Sequence, residues 1–190
     1  PPPLCNCSNP IDIAGIVTNG AAKNDNASIG LSDTVFANTS TALHLDLPCG
    51  EYYLSAIKSS AALSISVHGN TVLYVGGNIQ TSGPFEITID PTASLSLFVG
   101  GSITGSAAMT LGSTEVPAQT AVYVGSASGV TTSSTLGVAG ALYMPSGPLK
   151  NSSATTLHGS LLANGITGSG SITVHYDQGL QSAAAACVAP

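Results

Sequence analysis

The residues that could carry chemistry are few, and they stand apart. The chain has four histidines, His44, His68, His158 and His175. His175-Tyr176-Asp177 sets an imidazole two residues from a carboxylate, and on a strand the two share a face. That is the spacing of a general base and the acid that orients it. A hydrolase also needs a nucleophile and an oxyanion site, and none of the serines stands in a Gly-x-Ser-x-Gly elbow. The pair is therefore expected to be structural, holding a last repeat. His68 and His158 each precede a glycine and could share a face. A metal needs three or four converging ligands, however, and no two histidines are spaced i,i+2 or i,i+4. A glycosidase needs two facing carboxylates; Asp46 and Glu51 are the nearest, but Cys49-Gly50 between them reads as a turn. A polysaccharide lyase needs a cation and a base, and the chain has no arginine and only Lys23, Lys58 and Lys150. Asp25, Asp33, Asp46 and Asp90 are scattered and form no calcium loop. We expect no enzyme: no catalytic residue, no metal and no cofactor.

Cys5, Cys7, Cys49 and Cys187 form an even set with three possible pairings. Cys-x-Cys is too short for a zinc-finger knuckle. Two disulfides in an oxidising compartment are expected, with Cys5 and Cys7 each reaching Cys49 or Cys187; an intermolecular bond is the alternative. Either pairing would tie a chain end to the body. The chain opens on Pro1-Pro2-Pro3 without a signal peptide, which suggests a processed form of an exported precursor.

The net charge is −6. Without a basic footprint, nucleic acid is excluded as a partner, and an anionic membrane surface with it. No apolar run approaches the roughly 18 residues that span a bilayer, so membrane insertion is not expected. The absence of Trp argues against an aromatic platform for stacking sugars. Charged residues make up only 6% of the chain, against about 25% in an ordinary soluble domain. Charge normally keeps exposed strand edges apart. A chain this poor in it is kept apart in some other way or is meant to assemble.

The elements that would position these residues repeat. LYVGGNIQTSG starts at Leu73, LFVGGSITGSA at Leu97, VYVGSASGVTTSS at Val122, LYMPSGPLKNSS at Leu142 and LLANGITGSGS at Leu161. The starts lie 24, 25, 20 and 19 residues apart, a drifting period that suits solenoid coils of about 20–45 residues. Runs alternating with period two, LSISV at 63–67, FEITI at 85–89, SLSLFV at 94–99 and SITVHY at 171–176, read as strands. Gly and Pro recur often enough to leave little room for helix; only Ala183–Ala186 has the propensity, and it is too short. The fold class is all-β, a parallel β-solenoid (β-helix), with a β-sandwich as the alternative. The Gly-Gly pairs at 76–77 and 100–101 recur at one place within the repeat, which favours stacked coils.

Residues 1–41 lack the repeat and are expected to form an N-terminal arm or cap, followed by the solenoid at 42–180 and a tail at 181–190. In the arm, Ile11, Ile13, Ile16 and Val17 have the composition of a strand. It would fold back as the solenoid's own cap or add as a strand to a neighbouring subunit. Within the repeats, Leu73, Val75, Leu97, Val99, Val122, Val124, Leu142 and Leu161 are expected to point inward. Tyr74, Phe98, Tyr123 and Tyr143 then form an aromatic ladder on the opposite side, exposed on a monomer and available as an assembly contact.

LPCGEYYLSAI (47–57), the two Gly-Gly strands, LYMPSGPL (142–149) and LHGSLLANGITGSGSITVHYDQGL (157–180) resemble a bacterial domain of unknown function. It occurs in secreted and surface-anchored proteins, some near type IV pilus PilX-like components. VHYD at 174–177 is the most specific part. The resemblance covers about residues 45–180 and implies a right-handed β-solenoid at the cell exterior, with no catalytic residues to carry over. Gly76-Gly77 and Gly100-Gly101 stand where relatives often place a charged residue. Together these readings lead us to expect a secreted structural protein at the cell surface, a self-assembling subunit of a fibre, sheath or matrix whose partner is itself. The alternative is a monomeric adhesin or carbohydrate-binding module that meets surface glycans on a Ser/Thr/Asn face. Thr39-Ser40-Thr41 stands alone, so the regular Thr-x-Thr column of an ice-binding face is missing.

Overall fold

The computed structural model describes residues 11–177. Strands come three to a coil, each parallel to its counterpart one coil away. The first coil holds β1 (Leu43–Leu47), β2 (Gly50–Leu54) and β3 (Ile57–Ser59). The second holds β4 (Leu63–Val67), β5 (Asn70–Val75) and β6 (Ile79–Thr81), and the third β7 (Phe85–Ile89), β8 (Ser94–Val99) and β9 (Ile103–Gly105). The fourth holds β10 (Met109–Leu111), β11 (Thr120–Val124) and β12 (Val130–Thr132). In the next two coils the strands are fused into β13 (Leu136–Asn151) and β14 (Thr155–Gly168), and β15 (Ile172–His175) begins another. Every pairing is parallel, so the fold is a β-solenoid of about six coils with three faces, not a sandwich. The first face runs from β1 through β4, β7 and β10 to β15; the second contains β2, β5, β8 and β11; the third contains β3, β6, β9 and β12.

The register follows the spacing of the repeats: Leu73 pairs with Leu97, Leu97 with Val122, Val122 with Leu142, and Leu142 with Leu161. Strand side chains alternate between faces, so one parity fills the interior. Leu73, Val75, Leu97, Val99, Val122, Val124 and Leu142 are all buried, and Leu161 is partly buried in the last complete coil. The recurrent glycines are explained by how closely the coils approach at one corner. Gly101 N–H donates to Gly77 O at 3.0 Å, and a Cβ on Gly101 would stand 2.6 Å from that oxygen.

Before β1, the chain forms α1 (Ile13–Ala22), where the sequence suggested a strand over Ile11–Val17. Asp12 caps it, its carboxylate accepting from Gly15 N–H at 2.9 Å. Ile13, Val17 and Gly20 are its buried residues, spaced as one helical face. The run Ile11, Ile13, Ile16, Val17 satisfies both periods, and the packing decides. The helix lies along the solenoid: Ile13 meets Gly125 on the fourth coil, Val17 meets Gly100 on the third, and Gly20 meets Tyr74 on the second. A helix rises about 5.4 Å per turn and stacked strands lie about 4.8 Å apart, so one helical stripe can address successive coils.

After a short 3-10 turn (Asn26–Ile29), the chain runs over the edges of β2 and β3. Asp25 N–H donates to Glu51 O, Ser55 N–H to Asp33 O, and Lys58 N–H to Phe36 O. Phe36 is buried against the core at this end. Residues 1–10 and 178–190 lie outside the described residues, and with them Cys5, Cys7, Cys187, the tail and Ala183–Ala186.

Candidate functional site

The aromatic column forms on the outside of the second face. Ring centroids lie 5.8 Å apart for Tyr74 and Phe98, 4.5 Å for Phe98 and Tyr123, and 5.9 Å for Tyr123 and Tyr143. Tyr53 precedes them in the same register and Leu162 follows. The ladder is not the open surface expected of a monomer. α1 packs on β2, β5 and β8 and leaves Tyr74 only 8% exposed; Phe98, Tyr123 and Tyr143 are half-buried. The Tyr74 hydroxyl donates to Glu51 Oε2 at 2.9 Å. Burial first, and then this bond, push the Tyr74 phenol up to about 12. Of the assembly residues expected in the arm, Ile13 and Val17 are buried in the chain's own fold, Ile16 is half-buried and Ile11 is exposed.

Three histidine–aspartate contacts form one chain on the first face. Asp46 Oδ1 meets His44 Nε2 at 3.0 Å and His68 Nε2 at 2.9 Å, and His68 Nδ1 meets Asp90 Oδ2 at 2.9 Å. Only imidazolium can donate from both nitrogens. The bonds to Asp46 and then Asp90 raise the His68 pKa, and those from His68 and then His44 lower that of Asp46. The network spreads outward over three coils instead of converging. Among the described residues no group of three or more His, Cys, Asp or Glu could hold a metal. His158 and His175 stack at 4.5 Å. Sequence reasoning missed this chain because two of its three contacts join residues 22 apart, a separation that becomes informative only once the coil register is known; the third, His44 with Asp46, spans two residues on one strand. Cys49 is exposed and is the one cysteine among the described residues.

The two ends of the solenoid differ from its middle. Among the described residues β1 pairs only with β4, and β15 only with β14. At the C-terminal end two interior columns run into the open. Leu149 and Leu157 are fully buried, whereas Ile166 and Val174, their counterparts one coil on, are 54% and 56% exposed.

A three-faced parallel β-solenoid with ordered side-chain columns on its outside is the class that this architecture defines. The chain belongs to the DUF7305 family, a domain of unknown function, matched over residues 9–183. The match takes in α1 as well as the coils. No curated protein and no solved structure matches the chain.

Proposed function

We propose that this domain is a structural subunit that works outside the cell and joins head to tail into a fibre, sheath or matrix. The observation that carries the proposal is the pair of strand edges left unpaired among the described residues, β1 at one end and β15 at the other, both on the first face. An unpaired edge is a template for another strand. Placing β15 of one copy beside β1 of the next continues the parallel pairing used between every pair of coils. Such a contact is heterologous and need not close. It would also cover Val174. The register supports it: one column runs from end to end through Leu45, Ile65, Ile87, Leu111, Val138, Leu157 and Val174, and Asp46 and His175 are the next residues on its first and last strands. Continuing the register would set His175 of one copy beside Asp46 of the next. The extracellular setting rests on the even cysteine set, Cys5, Cys7, Cys49 and Cys187, of which Cys49 is exposed and the other three lie outside the described residues. No helix among the described residues is long and apolar enough to cross a membrane.

Electron microscopy and light scattering of the purified chain test this reading. The expected result is filaments that grow with concentration and are lost in Val174→Lys, with the β circular-dichroism spectrum unchanged. A wild-type chain that stays monomeric at millimolar concentration refutes it.

A further inference from the structure

The two ends of the solenoid carry different ionisable groups. The first coil and the segment laid on it, residues 23–59, hold four of the nine carboxylates, Asp25, Asp33, Asp46 and Glu51, against two lysines, Lys23 and Lys58. Residues 155–177, at the other end, hold two of the four histidines, His158 and His175, and one carboxylate, Asp177. Residues 1–10 and 178–190 contain no acidic, basic or histidine residue, so they bring no such group to either end.

The stacked histidines decide what such an end can meet. His158 and His175 lie with their rings 4.5 Å apart, His175 is exposed, and its strand is the last of the first face among the described residues. Two imidazolium rings this close repel one another, and an anion placed next in the column relieves that repulsion. At the opposite end Asp46 uses one oxygen, Oδ1, for both His44 and His68. Its Oδ2 stands outside these contacts, and the side chain is 62% exposed. Asp90, His68 and Asp46 already alternate in sign. His175 of another copy, set beside Asp46, continues the alternation.

We infer that the joint between copies is strengthened by acid, through an ion pair of His175 on one copy with Asp46 on the next. This rests on the head-to-tail reading and names what regulates it. An imidazolium both donates to the Asp46 carboxylate and is attracted by its charge, whereas a neutral imidazole offers the hydrogen bond alone. The joined copies therefore bind more protons than the separate ones. By linkage, assembly rises as pH falls through the range in which imidazoles titrate, about pH 8 to 5. The other ionisable groups around the contact are His158 and Asp177 on the first copy and His44, His68 and Asp90 on the second. His68, bonded to Asp46 and Asp90, keeps its proton to a higher pH than an ordinary histidine. His44 competes for Asp46 once it is charged, and Asp46 itself takes a proton at the acid extreme, so the gain levels off and then reverses. Tail-to-tail contact would bring the two histidine pairs together and give the opposite sign.

Light scattering and sedimentation velocity of the full chain between about pH 8 and pH 6 test this. The association constant of the joint should rise by about two- to fivefold as pH falls, the range of exposed ion pairs, and the rise should shrink in high salt. His175→Lys, charged throughout, should assemble at the alkaline end as wild type does at the acid end and lose most of the slope. A slope that came only from falling net charge would survive that change. His175→Glu should weaken assembly, and Asp46→Lys added to it should restore it, a rescue that a structural role for either residue does not give. The β circular-dichroism spectrum should stay unchanged in each variant. Assembly independent of pH, a slope unchanged in His175→Lys, or no rescue in the double variant overturns this inference and leaves head-to-tail stacking in place. Assembly that weakens as pH falls overturns both, as does a chain that assembles at no pH.

Discussion

Gly20 is where α1 presses hardest on the solenoid, and Gly20→Ala tests how the N-terminal segment is held. A Cβ at Gly20 would stand 2.6 Å from Tyr74 Cε2, overlapping the ring. The ring has little freedom to yield, because its hydroxyl is bonded to Glu51 and its face stacks on Phe98. Alanine favours a helix interior over glycine by about 1 kcal/mol. Against that gain, moving the ring out exposes an aromatic side chain, about 1.5–3 kcal/mol. It also gives up a hydrogen bond to a charged acceptor, about 1.5–3 kcal/mol. The balance is about 2 kcal/mol or more against docking, a factor of about 30 in the equilibrium. A ten-residue helix does not persist alone, so α1 should melt while the coils remain. Circular dichroism should lose its small helical component and keep the β signal. The Tyr74 phenol, held at about 12, should return towards an ordinary tyrosine value in an NMR pH titration. The sign is fixed by linkage: a raised folded pKa means that the contribution of Tyr74 is complete below about pH 10 and lost as pH rises towards 12. A variant that keeps its helical signal and its raised Tyr74 pKa refutes the packing argument.

His68 should titrate above its ordinary value by NMR, and Asp90→Asn should bring it down. Its contribution to stability is present below about pH 6.5 and fades as pH rises through the raised folded value. That of Asp46 is present above its ordinary value and lost as pH falls, so the pair stabilises most between the two. Leu97→Ala, in the middle of a buried column, should cost about 2–5 kcal/mol in urea unfolding. Ile166→Ala, at the exposed end of its column, should cost clearly less. Gly101→Val should destabilise through backbone contact, because Gly77 O has no side-chain freedom with which to yield; a thermal melt at or above wild type counts against that reading.

The solenoid was legible because a parallel stack repeats one chemical environment per coil. Leu73, Leu97, Val122, Leu142 and Leu161 could be aligned by eye, and the structure pairs them in that register. α1 was not legible. Its ten residues include two glycines, and its stability comes from a surface that exists only once the coils have stacked. Ile13 and Val17 carry no mark of helix apart from the glycine corner they meet.

The stacking also bears on why charge is scarce. In a parallel in-register solenoid every outward residue has a neighbour of the same column about 4.8 Å above and below. Two like charges at that distance repel by roughly 1 kcal/mol even in water, and by more where the surface is less wet. A charge repeated in each coil would accumulate that cost along the stack, whereas a serine or threonine repeated in each coil adds nothing. The outward columns follow this rule. The column at His44 continues as Ser64 and Glu86, and that at Lys58 places its second lysine four coils away. Where charged groups do adjoin, as in Asp46, His68 and Asp90, they alternate in sign. A charged fraction of 6% therefore follows from the fold itself and is not, taken alone, a sign of assembly. The assembly proposal then stands on what stacking does not require: two edges on one face that are unpaired among the described residues, and two interior columns left open at their ends.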